Sequence, residues 1–161
     1  MSGAQQILAI ASIFLLTTLI LNVHRSTGEK ILTTYTNESF ISGTGVAQSM
    51  MDEITVKSFD EKTVHNPVFD TESLTSKNSF GPDNGEESIY KYDDIDDYHN
   101  YTNTKTTDRM GEFYIKVLVS YVERDNLEKE SSVRTFTKRI KVMVTNFNLP
   151  DTIRLSQIVG Y

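Results

Sequence analysis

The feature that most constrains this chain is an uninterrupted apolar run, Ile7–Val23 (ILAIASIFLLTTLILNV), with no charged side chain in it. Roughly 17 residues at about 1.5 Å rise make a helical rod of about 25 Å, slightly short of a bilayer's hydrocarbon core. Ser12, Thr17 and Thr18 fit inside such a rod because their hydroxyls can bond back to the preceding turn. His24 and Arg25 close it with an abrupt polar boundary. Three uses of the run compete. A cleaved secretory signal asks for a positive n-region and a small-x-small cleavage site. MSGAQQ carries no Lys or Arg, and LNVHRS is not such a site. A single-pass anchor fits the apolarity, but the nearby cations, Arg25 and Lys30, lie on the C-terminal side, which the positive-inside tendency would make cytoplasmic. The third use is a helix that rests in a membrane and then packs against copies of itself. It needs small residues for close approach, and Ala9, Ala11 and Ser12 supply them. We favour the third, with self-assembly contacts expected at Ile7, Leu8, Ile10, Ile13, Phe14, Leu15, Leu16, Leu19, Ile20 and Leu21.

That run consumes a large part of a modest apolar allowance, 38% of 161 residues. What remains predicts a thin sheet covered by a helix of the same chain rather than a deep core. A net charge of −6 and a pI near 5.0 argue against nucleic-acid binding. With no cysteine, disulfides, thiolate metal sites and cysteine nucleophiles are all excluded. The histidines (His24, His65, His99) are dispersed, and no nucleophile-elbow, phosphate-loop, zinc-protease or dinucleotide motif occurs. A structural job without a catalytic residue or cofactor is the expectation.

Beyond Arg25 the texture stays helical but turns amphipathic, with Ile31, Leu32, Tyr35, Val46, Met50, Met51 and Ile54 at helix spacing. Gly43 and Gly45 each cost about 1 kcal/mol relative to alanine in a helix interior, so a break is expected there. Asn66-Pro67 ends the helical region. A polar, turn-rich stretch follows from about Thr71 to Asp108, containing Gly81-Pro82-Asp83-Asn84-Gly85. Then the period changes to two. Phe113, Ile115, Val117, Val119 and Tyr121 alternate with their neighbours, and so do Phe136, Lys138, Ile140, Val142 and Val144; Ile153 and Leu155 follow. Such segments joined by polar turns predict an antiparallel meander, and the fold class is α+β.

Two local clusters bear on ligands. Asp93, Asp94, Asp96 and Asp97 offer hard oxygens suited to Ca²⁺, in a spacing that departs from the calcium-loop template; the alternative is a solvated acidic turn. Tyr90, Tyr92, Tyr98 and Tyr101 beside it either form a subunit contact or cover a thin core. Lys138, Arg139 and Lys141 alternate along a strand and are expected to be a solvated face.

An apolar helix running into an amphipathic one, then a loop and a terminal antiparallel sheet, resembles the organisation of type IV pilins and pseudopilins. Ala47–Ile54 (AQSMMDEI) with Phe59-Asp60-Glu61, Asp93–Tyr101 (DDIDDYHNY), Tyr121, Lys138–Val144 and Asp151–Leu155 are similar to stretches of bacterial prepilin-type proteins. The resemblance implies a filament-core helix at 1–25, an amphipathic helix at 26–66 and a β-rich head at 67–161 with its acidic loop at 81–108. It also implies polymerisation into an extracellular filament after residence in a bacterial inner membrane, with pilus or secretion assembly machinery and copies of the chain as partners. Some pseudopilins hold calcium in an equivalent loop. One departure is plain: cutting after Gly3 puts Leu8, not glutamate, at the fifth position of the product, and Gln5 and Gln6 offer uncharged hydrogen bonds instead. A minor pseudopilin and a monomeric membrane-anchored binding domain are the alternative roles.

Overall fold

A long helix, α1 (Gly3–Thr55), opens the structure, a computed structural model that describes residues 2–161. Contacts divide the chain into one unit ending at Glu38 and another beginning at Ser39. Within the first, the apolar side chains of Ile7–Val23 surround the helix axis and are exposed. Its hydroxyls are satisfied inside the helix: Ser12 Oγ donates to the Ala9 carbonyl at 2.9 Å and Thr17 Oγ1 to that of Ile13 at 2.8 Å. This back-bonding lets polar residues sit in an apolar rod without an outside partner.

In the second unit, α1 buries one stripe, made of Ser39, Gly43, Val46, Ala47, Met50, Met51 and Ile54. Steps of three and four keep these residues on one face. They cover a five-stranded antiparallel sheet of β1 (Thr102–Thr107), β2 (Gly111–Glu123), β3 (Asn126–Glu130), β4 (Thr137–Thr145) and β5 (Ile153–Gly160), in the order β1-β2-β4-β5 with β3 on the far part of β2. The register places Ile115 opposite Val144, Val117 opposite Val142 and Val119 opposite Ile140. Since alternate residues share a face, these pairs form a continuous apolar layer beneath the helix.

The α+β class therefore stands, with four changes from the expected layout. No break occurs at Gly43–Gly45, because α1 runs through both. Gly43 is instead a point of tight helix–sheet contact: a Cβ there would lie 2.7 Å from Ile153 Cδ1 and 3.2 Å from Phe113 Cε1. The helix stops at Thr55, well before Asn66-Pro67. Beyond it the backbone finds partners in the acidic loop, with Ser58 N–H donating to Asp93 O and Ile95 N–H to Ser58 O, both at 3.0 Å. Strand β1 (TNTKTT) rises out of the polar stretch, and β3 occupies what the sequence presents as a turn. Neither strand buries a side chain fully, so neither carries a hydrophobic alternation to read.

The two glycines should respond in opposite ways. Gly45 has open space around its Cβ position, so Gly45→Ala should stabilise by up to about 1 kcal/mol through helix propensity alone. Gly43→Leu should cost about 1–3 kcal/mol by overfilling the helix–sheet contact. Thermal unfolding of both variants in detergent checks this; a neutral Gly43→Leu would contradict the close approach.

Candidate functional site

At the margin of the apolar layer lies a buried charge cluster built from three distant segments. Lys138, on β4, is fully buried and donates from Nζ to Asp96 Oδ1 at 2.5 Å, to Phe59 O at 2.6 Å and to Asp60 Oδ2 at 2.9 Å. The Phe59 ring lies 4.4 Å from Nζ, and Phe80 and Tyr121 each lie 5.2 Å away. The cation is thus enclosed by two carboxylates and three ring faces.

The two carboxylates differ in their other partners. Asp60 is also fully buried. Its oxygens accept from Lys62 N–H, from the N–H and hydroxyl of Thr75, and from the Tyr121 hydroxyl at 3.0 Å. Burial alone pushes its carboxyl up, but the adjacent Lys138 charge and these hydrogen bonds outweigh it and bring the pKa down to about 2. Asp96 has Lys138 on Oδ1 and no donor on its buried Oδ2. There burial dominates, Lys138 offsets it only in part, and repulsion from Asp94 adds to it; the pKa is raised to about 8. One cation is shared unequally, and Asp60 holds the negative charge.

The acidic loop closes on itself. Asp94 Oδ1 accepts from Asp96 N–H at 2.6 Å and Asp97 N–H at 3.2 Å, while Asp97 Oδ2 accepts from Asp93 N–H at 3.1 Å and Asp94 N–H at 3.2 Å. Asp93 is exposed, but Asp94, Asp96 and Asp97 are buried, so the expectation of a solvated turn is corrected. As for a cation, Glu61, Asp93 and Asp94 bring one carboxylate oxygen each within 4.8 Å of one another, and Glu86, Asp93 and Asp97 do the same. Asp93 is common to the two groups, Asp94 and Asp97 fall in one each, and Asp96 lies in neither, its carboxylate meeting Lys138 instead. Burial, then mutual repulsion, raises Asp97 to about 8; Asp94 reaches about 7, chiefly by burial against the pull of Lys138.

Arg139 is buried too, its guanidinium donating to Glu128 O at 2.9 Å and Glu130 Oε1 at 3.1 Å on β3. The Lys138–Arg139 pair is thus no solvated face, since each side chain finds carboxylate or carbonyl acceptors inside the fold. Of the tyrosines, Tyr92 and Tyr98 are buried and meet edge to face at 5.0 Å, with Tyr101 packed on both at 6.1 Å. These three cover the core, whereas Tyr90 is exposed. Sequence reasoning missed Asp60 as a partner of Lys138, and Thr75 and Tyr121 as partners of Asp60; a lysine in step with Ile140, Val142 and Val144 was the available signal.

The remaining expected site is the apolar helix face. Its ten residues from Ile7 to Leu21 are exposed, and α1 contains a stretch long and apolar enough to cross a membrane, with mean hydropathy 2.1. No protein-family model matches the chain, and no curated protein or solved structure does either.

The raised carboxyls set a pH dependence. Asp94 and Asp97 bind protons more tightly folded than unfolded, where the ordinary value is 3.8, so their contribution is complete below that value and is lost as pH rises through about 7 to 8. The unfolding temperature should fall between about pH 5 and about pH 8. Asp97→Asn, whose side-chain oxygen can still accept from the Asp93 and Asp94 amides, should flatten that fall in a differential scanning fluorimetry series.

Proposed function

We propose that this chain is a structural subunit that polymerises through Ile7–Leu21, its apolar helices leaving a membrane to bury one another in a filament core while the sheet-bearing units face outward. The observation carrying this reading is an apolar surface that surrounds the helix completely and buries nothing in its own chain. A helix of that kind must be covered by lipid or by other helices. At about 25 cal/mol per Å², a few hundred Å² buried per subunit holds such a contact together. Ala9, Ala11 and Ser12 let backbones approach closely, a property that lipid contact alone does not require. Contacts of this head-to-tail kind do not close on themselves and so produce helical fibres. The exposed Tyr90 is available for contacts between outward units. In this reading the chain begins in a bacterial inner membrane and ends in a cell-surface filament, with assembly machinery as its transient partner.

Ala11→Phe separates polymer from anchor. It keeps the span apolar, so the protein should remain in the membrane fraction, but the added ring should abolish fibres in electron micrographs of surface material. Fibres of normal abundance, or a wild-type chain that stays a dispersed detergent-bound monomer, would defeat the proposal.

A further inference from the structure

The Lys138 cluster contains the parts of a condensation reaction. An amine and a carboxyl are held with Nζ 2.5 Å from Asp96 Oδ1, so the nucleophile lies beside the carbon bearing that oxygen. Both side chains are buried, and Phe59, Phe80 and Tyr121 rings line the site. Exclusion of bulk water favours loss of water over its return. A second carboxyl, Asp60 Oδ2, sits 2.9 Å from the same nitrogen, within reach of its protons. Fixing the reactants in one fold makes the step effectively unimolecular.

We propose that Lys138 and Asp96 condense into an intramolecular isopeptide bond, with Asp60 relaying the proton. Asp96 starts as the neutral acid and Asp60 as the carboxylate. Nζ gives one proton to Asp60, and the lone pair of the neutral amine attacks Asp96 Cγ. Asp60 delivers that proton to the departing Asp96 hydroxyl, which leaves as water, and takes a second proton from the attacking nitrogen. The Nζ–Cγ bond forms, one Cγ–O bond breaks, and Asp60 ends as the neutral acid; no oxidant or cofactor takes part.

The partner assignments choose Asp96 over Asp60 as the acceptor. Each Asp60 oxygen is held by donors besides Lys138, from Lys62, Thr75 and Tyr121, and losing an oxygen would strand some of them. The Asp96 carboxyl accepts from Lys138 alone, on Oδ1, and its buried Oδ2 has no donor, so condensation there strands no third group. The single N–H left on the product can keep the bond that Nζ already makes to Phe59 O at 2.6 Å. A buried ion pair becomes a neutral amide, and β4 is tied covalently to the acidic loop.

Mass spectrometry of the full chain, purified in detergent and then denatured, tests this independently of polymerisation. The expected result is an intact mass lower by one water and, after digestion, a branched peptide joining Lys138 to Asp96. Separate linear peptides with both side chains free would overturn the proposal, as would a branch at Asp60. Asp60→Asn should leave the peptides linear while far-UV circular dichroism stays native; a complete branch in that variant would overturn the relay. If it does not fold, the wild-type peptides decide alone.

Discussion

A lysine amine with no access to water must be matched from inside, and in this chain that requirement organises the structure around Lys138. Its acceptors come from the segment after α1, which supplies the Phe59 carbonyl and Asp60, and from Asp96 in the acidic loop. Each must be delivered to the same point for β4 to occupy the centre of the sheet. Asp60 carries the demand outward: by accepting from Lys62, Thr75 and Tyr121 it fixes the turn after the helix, a loop segment and β2 together. Leaving any of these charges unmatched would cost more than the cluster's desolvation already does. The acidic loop is therefore an inward-facing part of the scaffold.

This arrangement explains why a chain with so little apolar residue outside its first helix holds a sheet at all. The apolar layer of β2 and β4 is thin, with α1 covering it through small and flexible side chains at close range. Around its margin, ring contacts and buried charges stand where a larger protein would place more aliphatic residues. The apolar residues missing from that margin lie in Ile7–Val23, where they contribute nothing to the fold of their own chain. In the reading proposed above, they serve the assembly.

Legibility followed the strength of the local signal. The apolar helix, the alternation in β2 and β4 and the antiparallel arrangement were readable because burial on one face imprints a period on neighbouring residues. Strand β1 left no such imprint, since TNTKTT exposes both faces and is held by its ladder to β2 alone. Gly43 reads locally as a helix breaker, yet its missing side chain is what Ile153 and Phe113 need. Lys138 and Arg139 looked like surface residues by type, because a sequence does not show which carboxylates will come to meet them. The aspartates of the loop misled for the same reason: their number was visible, but not the inward turn of Asp94, Asp96 and Asp97 or the approach of Glu61 and Glu86.

By itself the sequence determined the class of fold, the uncharged apolar span, and the period-two strands with their apolar faces. These depend on the order of residue types along short windows, where backbone periodicity converts directly into a face. Only the tertiary structure decided that the helix runs on through Gly43 and Gly45 and that it leaves its axis at Thr55. The tertiary structure likewise gave Lys138 two unequal aspartates. The Lys138 site depends on groups 42 to 79 positions apart meeting without water, and the contact at Gly43 on Phe113 and Ile153 arriving from the distant sheet. There the energy of a charge or a missing methyl is set by what surrounds it, not by its neighbours in the chain.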